Sequence, residues 1–486
     1  MPQPDAFHDL GALHLDDQGA FDPDRLDEVR AAVRDKGVRD LYVLAHGAHN
    51  DEAVSGATDD AYRALLAEAW QDKPGHAGLV SVHWPSMCFR DEGLPGGAES
   101  SDTAGIDQDT AEDLVRLLPA SAYPLATIID LLRERPERES ALDDFGTALR
   151  RLAELPLQDP VTAFAADTEG EILPQSDPLM LFEDTRTMCA EFAGAVEDLR
   201  RAQDTQAGKP ARHESGSEGP DVSEEGTIAE VRVAGPRPAR PLSDRVDRAG
   251  TVAAGGSLGE QARAADFASL WDGAHELFRQ GVRHVLRRRA GLVGQLGLGP
   301  CLPRLAEGSD VRLHLVGHGL GGRLAGFALR GLEDSGAEPV LLASLTLVQG
   351  EMSHFAFADS LPQQVSGHGA LWSLQRLVQG PVVCTYSHLD FHLGVMYPLS
   401  AQMIGDSAEL ATMGRKWGAL GFDGLQGVEG PAPVSLKDMA EREPGNAAYL
   451  NVDISEAMDS VRLPMGGHHD VFHPGVGLLL RRVAEG

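Results

Sequence analysis

The chain has 486 residues, of which 42% are hydrophobic, so it can bury a large core. Its 74 acidic residues outnumber 42 basic ones, which gives a formal net charge of −32. Because such a chain repels phosphate backbones and anionic lipid, binding to nucleic acid or a membrane surface would need a local basic patch, and we expect no nucleic-acid partner. The nearest basic run, Arg283 to Arg289 in VRHVLRRRA, is interpreted as the solvated face of a helix.

The N-terminus and the cysteines predict where the protein is found. The first residues, MPQPDAFHDL, lack the basic and apolar regions of a secretory signal. No uninterrupted apolar stretch reaches about 18 residues, so no membrane span is predicted. The four cysteines, Cys88, Cys189, Cys301 and Cys384, are widely spaced and form no Cys-x-x-Cys pair. We therefore predict a cytoplasmic protein in a reducing setting.

The first 86 residues alternate between helical and strand patterns. Residues 24–35 have helical spacing and lead into LYVLAHG at 41–47, an apolar run typical of a fully buried strand. A helical stretch at 58–70 precedes a second such run, GLVSVHWPS at 78–86. Strand, helix and strand make the parallel crossover unit, so residues 1–86 are predicted to form the first part of an α/β core.

This alternation stops after residue 86. The next stretches with helical patterning are 110–134, 139–154 and 178–202. Residues 203–258 are rich in Gly, Ser, Pro, Ala and charges, and they predict a flexible, disordered segment because few large apolar groups are present. We interpret 87–264 as a mainly helical insertion into the core.

Regular patterning resumes at residue 265 and continues to residue 486. A long helical segment at 267–297 precedes a strand that runs into a glycine cluster at 317–322. Apolar runs typical of buried strands follow at 341–350, 381–390 and 448–455. Residues 265–486 are therefore predicted to form the second part of the core.

The most informative motif is VRLHLVGHGLGG at residues 311–322. An apolar strand runs into Gly317-His318-Gly319-Leu320-Gly321, and a helical pattern follows. Serine hydrolases of the α/β class carry Gly-x-Ser-x-Gly at such a strand-to-helix turn, and the serine is the nucleophile. In this chain Gly319 stands in the place of that serine.

The chain resembles bacterial α/β-hydrolase-fold proteins of the serine esterase/lipase type. The blocks that carry this resemblance are LYVLAHG, GLVSVHWPS, RAGLVGQLGLGPCLPRL, VRLHLVGHGLGGRLA, SLTLVQG, VVCTYSHLD and GGHHDVFH. They cover roughly half to two-thirds of the chain. The resemblance implies an α/β three-layer sandwich with a mostly parallel central sheet, and it implies that residues 87–264 form a large helical cap.

The resemblance also implies a catalytic site. Gly319 occupies the nucleophile position, which is vacant, while Asp390 corresponds to the acid and His468 to the base. A serine hydroxyl attacks only if an imidazole takes its proton, and a carboxylate holds that imidazole in the required tautomer. The elbow, the acid after a strand and the later histidine follow the order of this class.

An oxyanion hole is implied beside the same turn. Backbone N–H groups must meet the negative oxygen of the reaction intermediate, and the resemblance assigns them to Leu320 and Ala48. His46, Gly47 and His318 are implied as supporting residues.

Other interpretations of the glycine cluster and of the acid and base stay open. Gly317, Gly319 and Gly322 satisfy the Gly-x-Gly-x-x-Gly pattern of dinucleotide-binding folds, but that turn usually follows the first strand of the fold. Asp390 could be only a cap at the end of a strand. His469 is a close rival of His468.

A zinc site is a further alternative. Histidines and one aspartate near the last two predicted strands could meet around a metal: His388, His392, His468, His469, Asp470 and His473. No His-Glu-x-x-His motif is present, and neither histidine group lies on a convincing helix. We predict neither a metal nor a cofactor.

The absent serine decides the functional prediction. Loss of a triad nucleophile lowers kcat around a millionfold, so acyl-enzyme chemistry is expected to be absent or strongly impaired. Three hypotheses stay open: a pseudoenzyme that binds or regulates, an enzyme that uses the His468–Asp390 dyad without a covalent intermediate, and a serine esterase whose serine was replaced. The expected partner is a small-molecule ester, amide or lipid-like ligand, and a protein partner also stays open.

Overall fold

The computed structural model describes most of the two predicted core segments and part of the insertion. The described residues are 7–47, 52–89, 92, 106–153, 167–169, 184–207, 265–335, 341–362, 367–402, 418–430, 432–441, 447–458, 468 and 470–486. Ala48, His469 and residues 208–264 lie outside this part, so the predictions made for them stay predictions.

An eight-stranded sheet forms the centre of the molecule. The strands of the described residues are β1 His8–His14, β2 Asp40–Ala45, β3 Ala77–His83, β4 Thr168–Glu169, β5 Arg312–His318, β6 Ser344–Val348, β7 His368–Gly369, β8 Val382–Tyr386, β9 Val434–Ser435 and β10 Tyr449–Asp453. The sheet has the order β1-β3-β2-β5-β6-β8-β10-β9, and all of its strand pairs are parallel. The short strands β4 and β7 pair separately and antiparallel.

Helices cover both faces of this sheet. The α-helices are α1 Pro23–Lys36, α2 Glu52–Ala69, α3 Gln108–Leu117, α4 Ala122–Glu134, α5 Glu139–Ala153, α6 Thr185–Ala207, α7 Phe267–Leu292, α8 Gly299–Ala306, α9 Leu320–Asp334, α10 Tyr397–Gln402, α11 Leu420–Asp423, α12 Leu436–Glu441 and α13 Pro474–Glu485. One apolar cluster joins the sheet to α1, α7, α8 and α9, and a second joins it to α2, α12 and α13. The predicted three-layer α/β class is therefore confirmed.

Strand β2 shows how the sequence builds these layers. All six of its residues are buried, as the continuous apolar run predicts. Leu41 and Val43 contribute to one apolar cluster, whereas Tyr42 and Leu44 contribute to the other, because successive side chains point to opposite faces. The strand is thus buried on both sides.

Strand β1 is absent from the sequence prediction. It lies at the edge of the sheet, pairs with β3, and has a register shift between Asp9 and Ala12. Its sequence, HDLGALH, mixes polar and apolar residues with a glycine at positive φ, Gly11. An edge strand needs no continuous apolar run, so the pattern that reveals the central strands is missing here.

The basic run on α7 corrects another expectation. Arg283, Arg287 and Arg288 are buried, at 4%, 5% and 1% exposure, rather than on a solvated face. They are compatible with burial because carboxylates and carbonyl oxygens accept from them; Arg283, for example, contacts Glu92 and Glu351. The prediction from charge alone, that these arginines face solvent, is therefore wrong.

Parts of the predicted insertion are described. They contain α3 to α6, and helix α6 packs against α7 of the second core segment. Helix α6 extends to Ala207, which is five residues into the segment predicted as disordered. Within the described residues, no single helix is long and apolar enough to cross a membrane. The neighbouring helical segments Gln108–Leu117 and Pro119–Glu134 reach that length and composition only when taken together, and a bend of 111° separates them.

Candidate active site

A sharp turn joins β5 to α9 at Gly319. Strand β5 ends at His318 and α9 begins at Leu320, so a single residue reverses the chain direction, with φ 55° and ψ −121°. The Gly319 N–H donates to the Val348 carbonyl at 3.0 Å. Glycine adopts positive φ freely, whereas most other residues pay about 1–3 kcal/mol in strained regions. The geometry is that of a strand-to-helix elbow whose conformation would be strained for any residue other than glycine.

The helix after this turn packs very close to strand β2. A Cβ atom at Gly321 would lie 2.0 Å from the Ala45 carbonyl oxygen, which no side chain could tolerate. Glycine at 321 is therefore required by packing, whatever chemistry takes place nearby.

An acid–base pair stands beside the elbow. His468 Nδ1 lies 2.7 Å from Asp390 Oδ2, and the two side chains are 4% and 0% exposed. With Nδ1 donating to the carboxylate, Nε2 of the neutral ring is left as the proton acceptor. The other oxygen, Asp390 Oδ1, accepts from the Leu393 N–H at 2.9 Å. Strand β8 ends earlier, at Tyr386, so Asp390 is not a cap at the end of that strand; it holds the start of the helical turn His392–Met396 and contacts His468.

The Nε2 atom of His468 faces the turn at Gly319. A Cβ atom built on Gly319 would lie 3.0 Å from His468 Nε2 and 3.6 Å from its Cε1. Nine in ten Cβ atoms in proteins keep a larger distance from their neighbours. The His468 ring therefore occupies part of the space that a side chain at residue 319 would need. The structure thus brings Gly319, Asp390 and His468 together, as the sequence predicts.

One of the two predicted oxyanion donors lies at this turn. The Leu320 N–H is the first of helix α9, and it has no hydrogen-bond acceptor among the described residues. The Gly47 Cα lies 3.9 Å from the Cβ position of Gly319, so the end of β2 borders the same space. Ala48, the other predicted donor, lies outside the described part of the chain.

His46 and His318, the predicted supporting histidines, are both buried. His46 Nδ1 lies 2.8 Å from the Gly47 carbonyl oxygen, and Trp84 Nε1 donates to the His46 carbonyl at 3.2 Å. His318 Nε2 lies 3.4 Å from the carbonyl oxygen of His468. Burial, reinforced by His468, lowers the pKa of His318 to about 3, so this ring is neutral at neutral pH. Both residues shape the loops around the elbow.

Two further buried residues lie beside this pair, and the sequence analysis placed neither of them there. Glu351 follows strand β6, is wholly buried, and lies 3.4 Å from His392 Nε2 through its Oε2 atom. The His392 ring packs edge-on against His468, with centroids 5.5 Å apart. Two features of the sequence could have indicated this contact. An acidic residue directly follows a predicted strand, and arginines recur every four residues along α7, at 279, 283 and 287.

The proposed zinc ligands do not form one group among the described residues. No cluster of three or more histidine, cysteine, aspartate or glutamate side chains there could hold a metal ion. His388 packs against the rings of Tyr386 and Phe422. His473 caps helix α13, where its Nδ1 accepts from the Gly475 N–H at 3.0 Å.

A dinucleotide site also needs an acidic residue about 20 positions after the glycine turn. The acidic residues nearest to that spacing, Glu333 and Asp334, lie at the far end of helix α9. Glu333 pairs with Arg376, and Asp334 accepts from Gln295 Nε2 at 2.6 Å. Neither contact involves the turn at Gly319. The elbow strand β5 also lies in the middle of the sheet and follows three earlier strands that pair in it. These positions do not match the dinucleotide pattern.

Comparison with known proteins adds no assignment. No known protein family, curated protein or solved structure matches this chain.

Proposed function

We propose that this protein is a hydrolase of small ester, amide or lipid-like molecules that uses a water molecule instead of a serine nucleophile. His468 is the general base and Asp390 orients it. The observation that carries the proposal is the 3.0 Å separation between His468 Nε2 and the Cβ position of residue 319. An imidazole that contacts a carboxylate through Nδ1 and lies this close to the residue 319 position through Nε2 suits activation of a small nucleophile.

The reaction proceeds without an acyl-enzyme. His468 Nε2 takes a proton from water as the water oxygen attacks the carbonyl carbon of the substrate. The carbonyl electrons move to oxygen, and the Leu320 N–H donates to that oxyanion. The intermediate then collapses, the bond to the leaving oxygen or nitrogen breaks, and His468 returns its proton to the leaving group. The products are a carboxylic acid and an alcohol or amine.

The rate should be far below that of a complete triad. Enzymes that lose the triad nucleophile keep about 10³–10⁴-fold acceleration over water, which comes from binding and the oxyanion hole. Slow turnover of an activated ester is therefore the expected activity.

A binding protein without turnover is the second candidate. The observation that favours it is the position of the His468 ring, which is almost fully buried and reaches into the turn. A ring held there would leave less room for an attacking water. The Asp390–His468 pair would then be a structural contact at a ligand site.

Turnover by matched histidine variants tests the proposal. Hydrolysis of p-nitrophenyl acetate and butyrate should be measured for the parent, His468→Gln and His314→Gln. His314 is also buried and paired with an aspartate, since its Nε2 lies 3.1 Å from Asp40 Oδ1 near the opposite end of β5. Loss of turnover in His468→Gln alone supports the dyad mechanism. Equal loss in both variants, or no turnover by the parent, contradicts it.

A further inference from the structure

A buried carboxylate links the elbow to the insertion side of the molecule. The Glu351 N–H donates to the Gly319 carbonyl at 2.9 Å, so the backbone of this residue holds the turn. Its side chain is wholly buried and accepts from Arg283 Nη1 at 2.8 Å. Arg283 in turn donates to Glu92 at 2.9 Å. One arginine of helix α7 therefore bridges two buried carboxylates.

His392 connects this carboxylate to the proposed base. It follows Asp390 by two residues in the helical turn His392–Met396, and it is 1% exposed. Its Nε2 lies 3.4 Å from Glu351 Oε2, while its ring meets the His468 ring at 73° with centroids 5.5 Å apart. His468 thus contacts a carboxylate at Nδ1 and the edge or face of a second imidazole.

The charge states of this cluster follow from its contacts. Burial works to raise the pKa of the Glu351 carboxyl, but Arg283, His392 and Arg287 outweigh it and hold the pKa below its usual range. Burial, followed by Arg283, lowers the pKa of His392 to about 4. At neutral pH the Glu351 carboxylate is therefore negatively charged, and the His392 ring beside it is neutral.

We propose that Glu351 and His392 are positioning residues for His468, with the carboxylate setting the electrostatic environment of the base and the imidazole setting the orientation of its ring. The proposal rests on the role of His468 in the proposed function. The titratable groups in known contact with His468 are Asp390, His318 and His392, and Glu351 and Arg283 lie behind His392.

Neutralising the carboxylate should make His468 harder to protonate. Without the charge of Glu351, the positive charges of Arg283 and Arg287 act on the imidazolium with less compensation. In Glu351→Gln we therefore expect the midpoint of the His468 titration to shift downward, and by more than in the control variant Glu92→Gln. Removing a cation should act in the opposite direction, so Arg287→Gln, whose Nε lies 3.4 Å from Glu351 Oε1 in the parent, should raise it.

The experiment is an NMR titration of the His468 ring in the full chain labelled with ¹⁵N-histidine. The His468 signals are identified by their loss in His468→Gln. Glu92→Gln is the matched control, because Glu92 is equally buried and also binds Arg283 but has no contact with His392 among those described. Its His468 midpoint should stay within about 0.3 units of the parent value, since the charge removed lies beyond Arg283.

An unchanged midpoint in Glu351→Gln, or an equal shift in Glu92→Gln, would overturn the proposal. If Glu351→Gln does not fold, the upward shift expected in Arg287→Gln carries the test, and no shift or a downward shift there overturns it. The measurement needs no turnover. A protein that hydrolyses nothing therefore still gives a result, and failure of this inference is distinct from failure of the proposed function.

Discussion

At the scale of single residues, Gly319 keeps the backbone turn of the site but supplies no side-chain hydroxyl. Its backbone has the positive φ of a strand-to-helix elbow, and its neighbours hold that conformation through the bonds to Val348 and Glu351. A glycine reaches this conformation without strain, so the turn persists although no hydroxyl is present. Under the proposed function, residue 319 lacks the hydroxyl that would form an acyl-enzyme.

Restoring the hydroxyl should cost stability and create a nucleophile. Gly319→Ser places an L-residue at φ 55° and sets its Cβ 3.0 Å from His468 Nε2. We expect a loss of about 1–3 kcal/mol in the free energy of unfolding by urea. The variant should react with a fluorophosphonate probe, and the parent should not.

Gly319→Ala is the control for this change. It should lose similar stability without reacting, because it adds the Cβ but no hydroxyl. Labelling of the parent would contradict the assignment of residue 319 as the nucleophile position. Ser353 and Ser387 would then be examined first, although both hydroxyls take part in local contacts, with the Phe355 N–H and the Ser455 hydroxyl.

The buried histidines predict a pH dependence of stability. The pKa of His318 is lowered by burial to about 3 in the folded state, whereas the ordinary pKa of a histidine is 6.5. Protons therefore bind preferentially to the unfolded chain, so this residue destabilises the fold as the pH falls below about 6.5. Each such buried histidine should cost about 1 kcal/mol per pH unit in that window.

Urea unfolding at pH 7 and at about pH 5.5 measures this effect, and that range lies above the titration of most carboxylates. His318→Gln should weaken the pH dependence, because it removes one group that must charge on unfolding. His76→Gln, which changes an exposed histidine, should leave the dependence as in the parent. The same slope in all three proteins would contradict burial of His318 as its cause.

At the scale of elements, the buried central strands and the turn at Gly319 could be predicted, because continuous apolar runs and a glycine cluster mark them in the sequence. Strands β6, β8 and β10 fall within predicted runs, and β2 and β3 each begin one residue before theirs, because strands buried on both faces carry an unbroken apolar signature. The elbow was predictable because only a glycine-rich turn allows α9 to pack this closely on β2. Edge strand β1 carries no such signature.

Helix α7 shows why the rest could not be predicted. Its arginines look solvated in sequence, but their partners Glu92 and Glu351 come from positions far away in the chain. Burial of a charge depends on partners that only the tertiary structure brings together. The contact of His392 with His468 has the same origin, because local spacing does not indicate which ring a loop histidine will meet.

At the scale of the whole molecule, the sheet joins chain segments that the insertion separates. Strand β2 of the first segment pairs along its length with β5 of the second, and Ala45 lies opposite Gly317. The elbow therefore forms only when residues about 270 positions apart have come together, and such non-local pairing slows folding. Site formation and completion of the sheet should be one event.

Asp167 is one of the residues through which the described part of the predicted insertion contacts the loops around the turn at Gly319. Its carboxylate pairs with Arg323 of helix α9, accepts from the Ser353 N–H at 2.8 Å, and accepts from the Tyr397 hydroxyl at 3.1 Å. Arg323 is wholly buried, so loss of this partner would leave a buried positive charge. One side chain thus connects three elements around the elbow.

Asp167→Ala should therefore loosen the site loops as well as lower stability. We expect a loss of about 3–5 kcal/mol, as for other broken buried ion pairs, together with faster hydrogen exchange of the Ser353 amide. Glu169→Ala is the matched control, since Glu169 lies in the adjoining strand and its pair with Arg330 is 30–43% exposed. That variant should lose no more than about 1 kcal/mol and leave the Ser353 amide protected. If both variants exchange alike at Ser353, the insertion is fixed to the core by contacts other than Asp167, and the site loops keep their order without it.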